Sequence, residues 1–274
     1  MENIASLINS LHLEDLRNDA HPSIFDVNPG YDLLIMRLPV LGQNLKVEST
    51  GFILTERGSY LYNKATGEFE KLQERFEGPY RIIDPIIDNL LKAFMRCQDR
   101  IADMEDLLYL DRAGADFMTR WLGFKRDILR IERVLMRAAA TFEELIGHYE
   151  AQGEFPIDNF VDLHEHTDRM ARAASLQLSK LDYIYNFFNA RTNEKMNRLI
   201  YLLTVVSAIF LPLNLMVGFF GMNTSGLPFT LGSSGTVNVA LLMGTQLLLA
   251  SGVLYLWYKK KNASGGNDPD KETP

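Results

Sequence analysis

The chain has 274 residues, with 28 Lys or Arg against 35 Asp or Glu, so its formal net charge is −7. An acidic balance of this kind argues against a nucleic-acid-binding protein, which would present a basic surface, and no nucleic acid is expected as a partner. The single cysteine, Cys97, excludes an intrachain disulfide and a thiolate metal cluster within one chain.

The N-terminal part, residues 1–80, is predicted to be a shortened α/β cytoplasmic domain. The opening MENIASLINSLHLEDL has no basic segment before an apolar run, so it does not read as a signal peptide. Three runs rich in β-branched and aromatic residues predict strands, and turn residues separate them. These runs are Tyr31–Leu38 ending at Pro39, Gly51–Thr55 and Ser59–Tyr62.

Residues 81–154 are predicted to form cytoplasmic helices. Apolar residues recur at three and four from Ile82 to Phe94, which is the helical period. Gly114 and the stretch 152–154 are the expected breaks. Residues 155–220 are then predicted as one stalk helix of about 100 Å, because Pro156 suits a first helical turn and no Pro or Gly follows it before Pro212.

Two uncharged stretches near the C-terminus, about 199–220 and 237–258, are long enough to cross a bilayer. Basic residues precede the first stretch (Arg191, Lys195, Arg198) and follow the second (Lys259 to Lys261). The positive-inside rule therefore predicts a multi-pass protein of the inner (plasma) membrane with both termini cytoplasmic. Residues 221–236 form the extracytoplasmic loop and 259–274 the cytoplasmic tail in this topology.

Small and polar side chains line one seam of the stalk helix. Counting back from Gly221 in alternating steps of three and four reaches Asn214, Leu211, Ser207, Thr204, Ile200, Asn197, Asn193 and Asn186. A 3,4 repeat places residues on one face of a supercoiled bundle. Two interpretations remain open for this seam: hydrogen bonding between packed helices, or a water-filled pore lined by amide and hydroxyl oxygens.

The first span ends in Gly221-Met222-Asn223, and Asn197, Leu203-Thr204 and Phe210-Leu211-Pro212 precede it. This arrangement resembles the CorA family of divalent metal-ion transporters, whose pattern runs Asn-x-x-Met-x-x-Leu-Thr, Phe-[Met/Leu]-Pro, [Tyr/Phe]-Gly-Met-Asn. Ile200 replaces the Met of that pattern. Residues 160–166 also resemble the family's Arg-Asp-x-x-Asp-His stretch, so the resemblance extends over the whole chain, although the family's first strands are missing.

The resemblance implies a funnel-shaped homopentamer in which the first span lines the pore. Gly221, Met222 and Asn223 would form the outer selectivity motif, where Asn223 meets the hydrated ion. Three seam positions depart from the family's usual residues. Asn214 stands where Thr is usual, Leu211 where Met is usual, and Asn186 where magnesium importers often place Asp. Leu203 takes the position of a gate leucine, and with Leu211 and Ile200 it offers an apolar constriction.

The transported ion is expected to be zinc or magnesium, with cobalt or nickel also compatible. Gly226-Leu227-Pro228 follows the motif, and no acidic residue stands in this loop. That loop is similar to the ZntB branch of the family, which favours zinc slightly. A CorA-like magnesium channel is the alternative.

A row of acids and a histidine marks the start of the stalk helix: Asp158, Asp162, Glu165 and His166. Steps of four place Asp158, Asp162 and His166 on one helical face. The pattern alone favours a solvated charged face. The resemblance implies instead that acids near Asp162 bind a regulatory metal between subunits.

No P-loop, zincin motif or nucleophile triad is present, so we expect no enzyme activity and no cofactor other than a transported or regulatory Zn²⁺ or Mg²⁺. A membrane-anchored enzyme would have no reason for a polar seam within its anchor. A sensor or scaffold without transport stays open as an alternative. The expected partners are the lipid bilayer, divalent cations and other copies of the chain.

Overall fold

The computed structural model describes residues 4–41, 45–72, 74–222 and 234–264, and it divides into two compact units, residues 1–188 and 189–274. A 3-10 turn at Ile4–Ser6 opens the first unit. The elements that follow are α1 (Ser10–Arg17), β1 (Ile24–Asn28), β2 (Tyr31–Leu41), β3 (Leu45–Thr55), β4 (Gly58–Asn63), β5 (Glu68–Lys71), α2 (Glu77–Tyr109), α3 (Phe117–Tyr149), α4 (Ile157–Phe220) and α5 (Gly235–Ser264).

The five strands form one antiparallel sheet in the order β1-β2-β3-β4-β5. The predicted α/β class is confirmed, with the strands arranged as a meander. Gly58 closes the turn between β3 and β4 at a φ of 131°, a backbone conformation that side chains other than glycine rarely adopt. β1 and β5 had not been predicted, because each is short and alternates few apolar residues with charged or amide side chains.

The prediction that β2 ends at Pro39 is wrong, since the strand continues to Leu41. Pro39 pairs with Val47 of β3 on one side. On its other side β1 reaches only as far as the pair Ile24–Ile35, so β2 is locally an edge strand at Pro39. A proline lacks an N–H, and an edge position is where a sheet tolerates that loss.

Both faces of β2 are buried. Leu34 and Met36 point into the larger core formed with the long helices, whereas Leu33 and Ile35 point into a smaller core covered by α1. Leu16 of α1 lies so close to Gly51 that a Cβ there would meet its methyl group at 2.1 Å. A strand enclosed on both faces loses the usual alternation of polar and apolar residues.

Both predicted helix breaks are confirmed, since Gly114 falls between α2 and α3, and residues 152–154 lie between α3 and α4. α2 begins at Glu77, before the predicted Arg81, because Pro79 fits a first helical turn. The stalk is one helix of 64 residues that includes Pro212. This confirms the long helix that the absence of Pro and Gly had indicated.

Two helices are long and apolar enough to span a bilayer. The most apolar 18-residue window of α4 has a mean hydropathy of 2.2 and no buried residue, and Gly235–Gly252 of α5 reaches 1.2. A buried helix in a soluble core would be covered by its own chain. The exposure of these windows favours lipid or partner helices as their surroundings.

Candidate ion pathway

The cytoplasmic part of α4 packs through one stripe of residues. Apart from Ala171, the buried positions follow steps of three and four: Phe160, Leu163, Thr167, Met170, Ala174, Gln177, Leu181 and Ile184. The apolar ones among them belong to the larger core with α2 and α3. The stripe fixes which face of the stalk remains available to other molecules.

The end of this stripe is held by the tip of the α2–α3 hairpin. Trp121 Nε1 donates a hydrogen bond of 2.7 Å to the carbonyl oxygen of Leu181. The Trp121 ring stacks on Tyr185 with a centroid distance of 4.9 Å, and Phe117 stacks on Phe188 at the same distance.

Two ion pairs join the same segments of α2, α3 and α4: Lys125–Asp182 and Lys180–Glu105. We call this group of contacts the stalk clamp.

The candidate regulatory residues Asp158, Asp162, Glu165 and His166 occupy a different face from the packed stripe. Asp158, Asp162 and Glu165 are exposed and His166 is half-buried. Asp162 and Glu165 each lie two residues after a buried position, which is about 200° around the helix. Asn186 stands in the same relation to the buried Ile184 and is also exposed.

One ion pair exists within this row, with 3.6 Å between His166 Nε2 and Asp162 Oδ1. Asp84 on α2 is close enough for the charges to interact. Burial, and then the charges of Asp88 and Asp162, raise the pKa of the Asp84 carboxyl. Over the described parts of a single chain, no three His, Cys, Asp or Glu side chains converge as metal ligands. A metal held here would need ligands from another subunit or from water.

The candidate pore residues lie on the C-terminal part of α4, where the side chains are exposed or half-buried. No residue of the helix after Ile184 is buried. Ser207 is half-buried and the other predicted pore-lining residues are exposed: Asn186, Asn193, Asn197, Ile200, Leu203, Thr204, Leu211 and Asn214. Thr204 Oγ1 donates back to the carbonyl oxygen of Ile200 at 2.8 Å, so its hydroxyl is satisfied within the helix. The amides of the asparagines remain available for water or partners.

The selectivity motif begins where α4 ends at Phe220. Gly221 N donates to the carbonyl oxygen of Val217 at 2.8 Å, and Met222 is exposed beyond it. Asn223 and the loop that resembles ZntB lie outside the described residues. The proposed roles of Asn223 and Gly226-Leu227-Pro228 therefore rest on the resemblance.

Sequence reasoning overlooked two groups of buried polar contacts. Trp121 had no assigned role, although a tryptophan at a helical core spacing often needs a partner for its N–H. Asp32 had been read as part of a strand, yet its carboxylate accepts a hydrogen bond from Tyr149 Oη. The available signal was an acid inside an apolar run, because a buried carboxylate requires partners.

Comparison with known proteins agrees with this architecture. Residues 61–261 match the family described as CorA-like Mg²⁺ transporter protein. The cobalt/magnesium transport protein CorA of Thermotoga maritima is 21% identical over 272 residues, which cover 93% of this chain and 76% of the relative.

Two solved structures share the fold at low sequence identity. The complete CorA magnesium transporter of Methanocaldococcus jannaschii has a TM-score of 0.73 at 19% identity, covering 92% of this chain and 84% of the other. Full-length CmaX has a TM-score of 0.68 at 18% identity, covering 90% and 81%. With the family match extending over most of its length, the chain belongs to the CorA-like Mg²⁺ transporter family of membrane proteins.

Proposed function

We propose that this protein moves hydrated divalent cations across a membrane through a pore lined by the polar seam of α4. The observation that carries the proposal is that α4 has no buried residue after Ile184, while Thr204, Ser207 and Asn214 lie on one seam of its apolar part. Polar side chains in a membrane helix are costly unless they face water or partners. A ring of such seams satisfies that requirement around a central aqueous path.

A homopentamer supplies the partners in this proposal. Its support is the family membership together with the long stretch of α4 after Ile184 in which no residue is buried. We expect detergent-solubilised protein to have the mass of five chains by native mass spectrometry or light scattering. A stable monomer or dimer at the concentrations used for transport would contradict the pentamer.

The chemistry of the seam favours magnesium over zinc as the transported ion. Amide and hydroxyl oxygens suit a hard cation that keeps its water shell, whereas protein zinc sites favour nitrogen and sulfur ligands. The seam contains no histidine or cysteine. The family is named for Mg²⁺, and the Thermotoga relative is named for cobalt and magnesium. Zinc remains the alternative, on the similarity of the loop after Asn223 to ZntB.

Purified protein in liposomes tests the proposal directly. We expect a magnesium-sensitive dye inside the vesicles to report uptake, with a zinc-sensitive dye and an imposed proton gradient as parallel arms. Asn223→Ala should abolish uptake while the oligomer forms normally, because the Asn223 amide is proposed to bind a water of the ion's shell. Uptake no faster than in empty liposomes for every divalent cation would favour the sensor or scaffold alternative.

The row Asp158, Asp162, Glu165 and His166 is proposed as one half of an inter-subunit site for a regulatory cation. Its support is an exposed position away from the packed stripe, with Asp84 of α2 near enough for the charge of Asp162 to act on its carboxyl. A site completed by a neighbouring copy would bind metal only in the assembled protein.

Both termini are proposed to face the cytoplasm, because basic residues flank the two spans on that side.

A further inference from the structure

A cavity of about 600 Å³ lies at one end of the sheet, away from α4. The N-terminal segment at Ile4–Leu7, the β1–β2 turn, the β3–β4 turn and the approach to α2 border it. Asp32, Glu56, Arg57, Tyr60 and Arg75 are among its lining residues. Its volume falls within the range of small-molecule sites, about 300–1,000 Å³. Nothing in the proposed ion pathway uses this cavity.

A buried polar network forms one wall. Asp32 is 7% exposed, and its carboxylate accepts from Tyr149 Oη and, at 3.4 Å, from the backbone N–H of Asn28. Tyr149 is fully buried, and burial together with its bond to Asp32 raises the pKa of its hydroxyl. The negative charge of Asp32 is therefore already engaged by the protein.

Arg75 is held in place but is weakly bonded. Its guanidinium carbon lies 5.0 Å from the ring centroid of Phe76 and 5.1 Å from that of Tyr149, which orients the group by cation–π contact. Its Nη2 is 3.5 Å from Tyr149 Oη and 3.7 Å from Asp32 Oδ2, both at the outer limit of useful interaction. Arg75 Nε is buried and has no hydrogen-bond partner among the described residues, whereas the side chain as a whole is 24% exposed.

These contacts orient the Arg75 guanidinium at the cavity wall, and its Nη2 makes only long contacts within the chain. Arginine forms strong paired hydrogen bonds to carboxylates and phosphates. A metal cation is a poor alternative, because Asp32 is engaged and no set of three metal-ligating side chains converges in the described chain. The second arginine, Arg57, adds positive charge at the β3–β4 turn, and the ring of Tyr60 gives an apolar surface for the rest of a ligand.

We propose that this cavity binds a small molecule through a carboxylate or phosphate group placed on Arg75, with Arg57 as a second contact. The site lies in the first unit, residues 1–188, and shares no residue with the proposed ion pathway. It therefore stands or fails separately from the ion pathway.

Full-length protein in detergent tests the site by calorimetric titration and by thermal melting, after divalent cations have been stripped with EDTA and the EDTA has been removed by desalting. Inorganic phosphate and succinate are the two probes, and they separate phosphate from carboxylate recognition. We expect at least one of them to bind and raise the melting temperature. Arg75→Lys keeps the charge but loses the planar fork, so affinity should fall about tenfold or more.

Two further variants distinguish a loss of binding from a folding defect in Arg75→Lys. Arg57→Gln lies at an exposed turn and should weaken binding with little change in the melting temperature of the free protein. Arg126→Gln is the matched control, because Arg126 is 78% exposed on α3 and does not line the cavity. No binding of either probe, unchanged affinity in both Arg75→Lys and Arg57→Gln, or an equal loss in Arg126→Gln would overturn the proposal.

Discussion

Replacing Asn214 with leucine is expected to reduce cation flux steeply, by about tenfold or more, without weakening the oligomer. Asn214 is exposed on the apolar part of α4, two helical turns before Gly221. In the proposed pentamer the substitution exchanges a ring of amides for a ring of apolar side chains. A narrow apolar ring loses its water, and a divalent ion that must shed its own water cannot pass.

The opposite result follows if the seam only packs helices together. Losing an interhelical hydrogen bond would then weaken the oligomer by about 0.6–2 kcal/mol per contact. Flux and thermal dissociation of the oligomer should be measured on one preparation. Met216→Leu is the matched control, because Met216 lies about 200° around the helix and the exchange nearly conserves volume. A weakened oligomer with normal flux per assembled channel would place the pore elsewhere.

Replacing Trp121 with alanine is expected to destabilise the first unit, residues 1–188, by about 3–5 kcal/mol. The side chain is 8% exposed, stacks on Tyr185 and donates to Leu181 in the stalk clamp. Its loss leaves a cavity between α3 and α4 and removes the partner of a carbonyl group. Trp121→Phe keeps a ring but not the donor, so it should cost less, although the smaller ring also loses some packing.

Denaturant unfolding of the full-length protein in detergent, followed by helical circular dichroism, measures both variants. Leu122→Ala is the control, since the neighbouring side chain is 62% exposed and its loss should cost less than about 0.5 kcal/mol. A Trp121→Ala protein no less stable than Leu122→Ala would refute the clamp. If the clamp also sets the rotation of α4, Trp121→Phe should alter flux more than Leu122→Ala does.

The features that sequence predicted best depend on long, regular patterns. The long stalk helix followed from the absence of Pro and Gly over many residues, and the two apolar spans from their length and lack of charge. Strand ends were less predictable, because Pro39 is tolerated only where β1 has already ended. That condition depends on a neighbouring strand whose own sequence signal is weak.

The buried polar contacts had even less local signal. Asp32 and Tyr149 are far apart in sequence, and they meet only because α3 packs across β2. The bond from Trp121 to Leu181 likewise depends on how the hairpin tip meets α4. By contrast, the seam of α4 follows from the helical period of a single segment, so its residues were identified without knowledge of any tertiary contact.

The accessibility of the seam to water is the most direct test of the central claim. The lone cysteine allows a Cys97→Ser background in which Asn214→Cys and Met216→Cys are compared in liposomes. A thiol reacts in water, where its thiolate forms, and not in lipid. With a charged, membrane-impermeant thiol reagent, the account predicts that the cysteine at position 214 is modified and flux is blocked, while the cysteine at 216 stays unmodified. Modification at 216 with none at 214 would show that the polar seam does not line the pore.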